Sequence, residues 1–165
     1  TREELADWFL VRRLMEMYAV RLAAERISDW ELDELDSLVA ADASAFREGS
    51  IDRLATINGQ IHDLVYMASR NRVLVDLVQR LRGRVYGMSA FAVGEMQEQR
   101  LFVEDHQELA RLLREGSGKR AARLIGQHLE RARDLLAQAP RPNGDAALGA
   151  HEQDDQKSIG QEDMK

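Results

Sequence analysis

No proline occurs before Pro140, and β-type alternation is scarce along the same stretch. Proline breaks a helix interior at a cost of about 3 kcal/mol or more. A long proline-free run whose apolar residues recur at helical spacing therefore points to helices throughout. Thr1 with Glu4 reads as a capping box opening a helix to about Ile27, with an apolar stripe through Leu10, Leu14, Tyr18 and Leu22. Ser28 with Glu31 forms a second capping box, and its helix runs to about Arg47 before Gly49 stops it. A third helix covers about Ile51 to Ala68 and ends near Asn71. A fourth runs from about Val73 into the Met88–Gly94 region, where Gly87, Ser89 and Gly94 weaken it. A fifth spans about Glu98 to Arg114. After the Gly116-Ser117-Gly118 turn, a sixth spans about Lys119 to Gln138. Six or seven helices joined by short loops predict an all-α fold, an antiparallel bundle.

At 165 residues the chain has the length of one domain. Residues 1–139 read as one helical domain. Residues 140–165, rich in Gly, Asp, Gln and Glu, read as a disordered acidic tail. There is no cysteine, which excludes disulfides, thiolate metal sites and cysteine nucleophiles. No apolar run reaches the roughly 20 residues that span a bilayer, so no membrane partner is expected and a cytoplasmic location is. The net charge is −6, and the Arg clusters leave no net positive segment. A nucleic-acid surface would show a basic stripe, so DNA contact by this chain itself is not expected.

Three of the four histidines carry the chemistry. His62, His106 and His128 fall on the apolar faces of three different helices, and His151 falls in the tail. Asn58 stands one turn before His62, and residues at i and i+4 project from one helix face. Neutral imidazole is the commonest side chain for transition metals. Three buried imidazoles without a common partner would leave several polar nitrogens unsatisfied. One divalent transition metal, Zn or Ni foremost, would satisfy them together. Two readings stay open beside this one. The histidines could be core residues of a helical interaction module, each hydrogen-bonded separately. They could also serve a metal-dependent hydrolase or lyase with Glu104 or Asp105 as base, although those side chains diverge from the His106 face by about 100° per residue. Of Arg80, Arg82 and Arg84, which span opposite sides of one helix, at least one should point inward.

The residues also resemble a known family. Val11-Arg12-Arg13-Leu14-Met15-Glu16, followed by Leu22-Ala23-Ala24-Glu25-Arg26, resembles the first helix of the C-terminal effector-binding domain in the FadR-type branch of GntR transcription regulators. Asn58-Gly59-Gln60-Ile61-His62 is similar to that family's D-x-x-F-H segment. Ser69-Arg70-Asn71 stands where the family has a small residue and then Asn. Asp105-His106-Gln107-Glu108-Leu109 resembles its E-H-x-x-I segment, and Gly118 through His128 its G-D-x-x-A-A…H stretch. The likeness runs over about residues 5–138, in order and spacing.

The resemblance implies an all-helical domain that binds a small effector, often a carboxylic acid, and signals to an N-terminal winged helix-turn-helix that contacts DNA. It also implies a divalent metal held by an Asp and three histidines, which fall here on Asn58, His62, His106 and His128. Asn58 departs from the family's Asp and brings no charge. A +2 ion among neutral ligands calls for an anion, which makes a small organic acid the expected effector. Arg12, Arg82 or Arg84 would hold its far end through a bidentate fork. The expected state is a homodimer that senses its ligand, and not an enzyme.

Overall fold

The computed structural model describes residues 2–85 and 96–138, and among these there are six helices and no strand. They are α1 (Arg2–Arg26), α2 (Asp29–Arg47), α3 (Ile51–Ala68), α4 (Arg72–Val85), α5 (Met96–Arg114) and α6 (Gly118–Gln138). The all-α bundle predicted from periodicity is what the chain forms, with helix ends within two residues of those expected for α1, α2, α3, α5 and α6. The Thr1 cap, the Met88–Gly94 stretch and the tail from residue 140 lie outside the described residues.

The turns follow from local chemistry. At Ser28 the capping box is complete: Glu31 N–H donates to Ser28 Oγ, and Ser28 N–H donates to Glu31 Oε2 at 2.9 Å. Gly49 and Gly116 close α2 and α5 with φ near +67°, the left-handed conformation that glycine adopts without a steric penalty. Arg70 takes the same region at φ 56° without being glycine. Its guanidinium is held by Glu31 at 2.6 Å, and Asn71 Oδ1 caps α4 by accepting from Leu74 N–H at 3.1 Å.

α1 packs along α6 and also meets α3 and α4, while α2 packs on α3 and α5, and α5 on α6. Leu35, Leu54, Ile61, Leu109, Leu113, Ile125 and Leu129 are fully buried where these helices meet. One expectation fails on α1. Leu10, Leu14 and Tyr18 are 56%, 61% and 52% exposed, and of that stripe only Leu22 is buried. The face turned inward is Phe9, Glu16, Ala19, Val20 and Ala23. α1 carries apolar residues on more than one face, and it approaches α6 closely through another: a Cβ added at Gly126 of α6 would lie 2.9 Å from Met17 Sδ, and one at Gly118 3.1 Å from the Arg21 carbonyl oxygen.

Candidate metal centre

α3, α5 and α6 each turn one histidine toward the same point. His62, His106 and His128 are all buried, with ring centroids 5.0–5.6 Å apart. One ring nitrogen from each lies within 4.8 Å of the others. His62, expected at the margin of its helix stripe, is only 3% exposed. Helical phase turns each ring inward, and the packing of α3, α5 and α6 brings the three together.

The hydrogen bonds around the rings fix which nitrogens face inward. His106 Nδ1 lies 2.7 Å from Asp42 Oδ2, in a pair that is fully buried. His128 Nδ1 lies 3.0 Å from Asp105 Oδ2, which also accepts from Arg131. His62 Nδ1 lies 2.6 Å from Tyr66 Oη, and Tyr66 in turn donates to Glu16 Oε2 on α1. A carboxylate only accepts, so His106 and His128 carry their proton on Nδ1 and present a bare Nε2. Tyr66 has one proton for two neighbours, and turned to Glu16 it leaves Oη to accept from His62 Nδ1.

What remains is three Nε2 lone pairs converging on one point. His62 and His128 Nε2 are 3.3 Å apart. His106 Nε2 is buried without a hydrogen-bond partner among the described residues, and so is Asn58 Oδ1. Two imidazole nitrogens at about 2.0–2.1 Å from a tetrahedral ion stand about 3.3–3.4 Å apart. Ligating histidines generally donate their other N–H to a carboxylate or similar acceptor. The residues present thus fit a divalent cation.

Electrostatics agree. Burial holds the His62 imidazole well below its ordinary 6.5, and the positive fields of His128, Arg82, His106 and Arg12 lower it further. Burial also lowers His128, against the pull of Asp105. Both rings are therefore kept in the neutral form that binds metal. Burial pushes the Asp105 carboxyl up, but the hydrogen bonds and charges of His128 and Arg131 outweigh it and hold its pKa below the ordinary carboxylate value of 3.8.

The expected arginines are placed unevenly. Arg82 is 7% exposed, with Nη1 2.6 Å from Asp63 Oδ1 and its guanidinium carbon 5.6 Å from the centre of the Tyr66 ring. Arg12 donates through Nε to Glu16 Oε1 at 2.7 Å and lies over the Phe9 ring. Both border the His62–Tyr66 pair, and both already hold a carboxylate. Arg80 is exposed, and the Arg84 side chain lies outside the described residues.

Four neighbours of the histidines were not expected from the sequence. Asp42, Asp105, Tyr66 and Glu16 form the outer ring of acceptors. Tyr66 had a readable signal, at i+4 from His62. Asp42 had a faint one, as a lone carboxylate in the apolar run from Val39 to Ala45. Asp105 diverges from the His106 face as expected, but its side chain is only 13% exposed and meets His128. These carboxylates also correct the picture of a site with no anion near it, since Asp42 is buried against His106 with no Arg or Lys paired to it among the described residues. Nor does either proposed base reach the converging nitrogens. Glu104 pairs with Arg100 on the surface, and Asp105 holds the Nδ1 side of its ring.

The sequence profile of the FCD domain matches residues 7–131. The chain belongs to the FCD domain family. It is a regulatory effector-binding domain of the GntR type and not an enzyme. No curated protein sequence matches it. Among solved structures the FCD domain resembles E. coli McbR/YncC, with 19% identity over 84% of this chain and 70% of that one, at a TM-score of 0.76. Streptococcus agalactiae GntR gives 22%, 79%, 58% and 0.68 in the same order. Lar, which controls the expression of the Listeria monocytogenes agr system, gives 10%, 85%, 66% and 0.70. The chain spans less than two thirds of the last two. At these identities the likeness shows the shared fold. No described helix is long and apolar enough to cross a membrane.

Proposed function

We propose that this domain senses a small organic acid through a divalent transition metal, Zn or Ni foremost, held by Nε2 of His62, His106 and His128. Asn58 Oδ1 serves as the fourth and weaker ligand. The supporting observation is the convergence of three imidazole nitrogens, with His106 Nε2 and Asn58 Oδ1 both buried and without a hydrogen-bond partner among the described residues. When bound, the metal supplies a Lewis-acidic position at which a carboxylate can complete the coordination.

The chain's own residues do the rest. Asp42, Asp105 and Tyr66 orient the three rings. Arg12 and Arg82 stand beside His62 and provide positive charge for the far end of the acid, each exchanging its present carboxylate partner for the effector. Arg84 is kept in that role as the third candidate. Effector binding then biases α1 and α4, and with them a winged helix-turn-helix on the N-terminal side that contacts DNA. Such a bias requires different affinities for two states. A homodimer in the cytoplasm is part of this proposal.

Zinc and nickel titrations against a competing chelator, with metal analysis of the purified protein, test the reading. One ion per chain is expected, with His106→Ala abolishing it. Asn58→Asp is the sharper variant. A carboxylate at a ligand position should tighten metal binding and weaken an anionic effector, because the net charge of the site falls. If Asn58 only fills the core, the same change buries an unpaired carboxylate, costs a few kcal/mol and leaves metal affinity unimproved. That second outcome would remove Asn58 from the site.

A further inference from the structure

The three histidines are not oriented alike. His106 and His128 lean on carboxylates, which can only accept. His62 leans on a phenol, which can donate or accept. Tyr66 is fully buried and, through burial and the nearby Glu16 charge, keeps its proton far above pH 10. It has one proton and two neighbours: His62 Nδ1 at 2.6 Å and Glu16 Oε2 in closer contact. Glu16 is 0% exposed, and its other oxygen accepts from Arg12 at 2.7 Å.

Two arrangements follow. With the Tyr66 hydroxyl turned to Glu16, His62 donates Nδ1–H to Tyr66 and shows a bare Nε2. With the hydroxyl turned to His62, the imidazole proton sits on Nε2, faces His128 Nε2 at 3.3 Å and donates to it. The first leaves the centre open, and the second closes it on itself and leaves Glu16 Oε2 without its donor. The two differ in the position of one imidazole proton and the direction of one hydroxyl, with total protonation unchanged.

We propose that Glu16 is a positioning residue: through Tyr66 it holds His62 in the Nδ1–H tautomer, and the chain His62–Tyr66–Glu16 carries the state of the centre to α1. The carry to α1 rests on the metal-sensing reading above; the tautomer assignment does not. It explains why α1 buries a carboxylate opposite α3. Capture of Nε2 by a cation would exclude the closed arrangement and pin Glu16 between Tyr66 and Arg12. Release would leave the open arrangement held by Glu16 alone, with the closed His62–His128 pair again accessible.

Glu16→Gln tests this in the chelator-treated protein at about pH 8, above the ordinary imidazole range. Arg12 Nε–H needs an acceptor, so the new amide turns its oxygen to Arg12 and its NH2 to Tyr66. The hydroxyl must then face His62. Long-range proton–nitrogen correlation on histidine-labelled protein should show His62 as Nδ1–H in the parent chain and Nε2–H in the variant. Zinc affinity should fall about 10-fold or more, the range for lost outer-shell partners. Tyr66→Phe should switch the tautomer as well, and adding Glu16→Gln to it should cost no further affinity. Asp42→Asn should weaken zinc without touching the His62 tautomer. If Glu16→Gln fails to fold, Tyr66→Phe decides by the same spectrum. His62 remaining Nδ1–H in the folded variants, or additive losses in the double variant, would overturn the relay. A parent chain that binds no zinc would remove the metal reading while the tautomer spectra still decide this one.

Discussion

α1 and α6 lie against each other, yet they obey different rules. α6 sorts its residues as an amphipathic helix should, with Ala121, Ile125, Leu129 and Leu136 buried and His128 in phase with them. α1 buries Glu16 and leaves Leu10, Leu14 and Tyr18 exposed. A helix with one apolar and one aqueous side can be read from periodicity. α1 has three environments: the close contact with the glycines of α6, the polar centre reached by Glu16, and an outer apolar row. Its polar and apolar residues are each placed for a reason, but no single stripe describes them.

The largest expected contrast is in stability. Leu129→Ala on α6 empties a fully buried site and should cost about 2–5 kcal/mol. Leu14→Ala on α1 should stay within about 0.5 kcal/mol, as exposed substitutions do. Urea unfolding of both variants measures the difference, and an equal cost at Leu14 would mean that the outer row of α1 is covered in solution.

Next in size is the contribution of the ring supports. Asp105→Asn weakens the hold on His128 Nδ1 and should lower zinc affinity about 10–100-fold, read by chelator competition. Acidification comes third. Folded His62 and His128 have lowered pKa values, so the unfolded chain takes up protons first as pH drops below about 6.5. The stability these neutral rings contribute is intact above that pH and is lost below it. The melting temperature of the metal-free protein should therefore fall between about pH 7 and pH 5, in the ordinary titration range of histidine. A flat profile would mean the rings are less buried than α3 and α6 place them. The smallest effect is expected at Arg13–Glu130, the α1–α6 ion pair at 3.0 Å with both side chains more than a third exposed. Glu130→Gln should change stability by no more than about 1 kcal/mol and leave zinc affinity unchanged.

The legible part of the site was the part fixed by helical phase. His62, His106 and His128 each sit in register with an apolar stripe on their own helix, so their shared interior could be inferred without tertiary information. Asn58 and Tyr66 lie one turn either side of His62 and belong to the same local geometry, although only Asn58 was picked out. Asp42 and Glu16 were not legible, because nothing within α2 or α1 says that a carboxylate there will meet His106 or Tyr66. Asp105 was misread because its position beside His106 suggested divergence, while its true partner is on α6, 23 residues along the chain.

By itself the sequence determined the helices, their caps and turns, and the three imidazoles facing the interior, since all of these depend on backbone periodicity and contacts within a few residues. The tertiary structure alone decided which face of α1 is buried, which neighbour meets each Nδ1, and hence that three Nε2 atoms converge. Those outcomes depend on how closely two helices can approach and on which side chains meet across the bundle. Both are set by packing between segments far apart in the chain, which no single helix encodes.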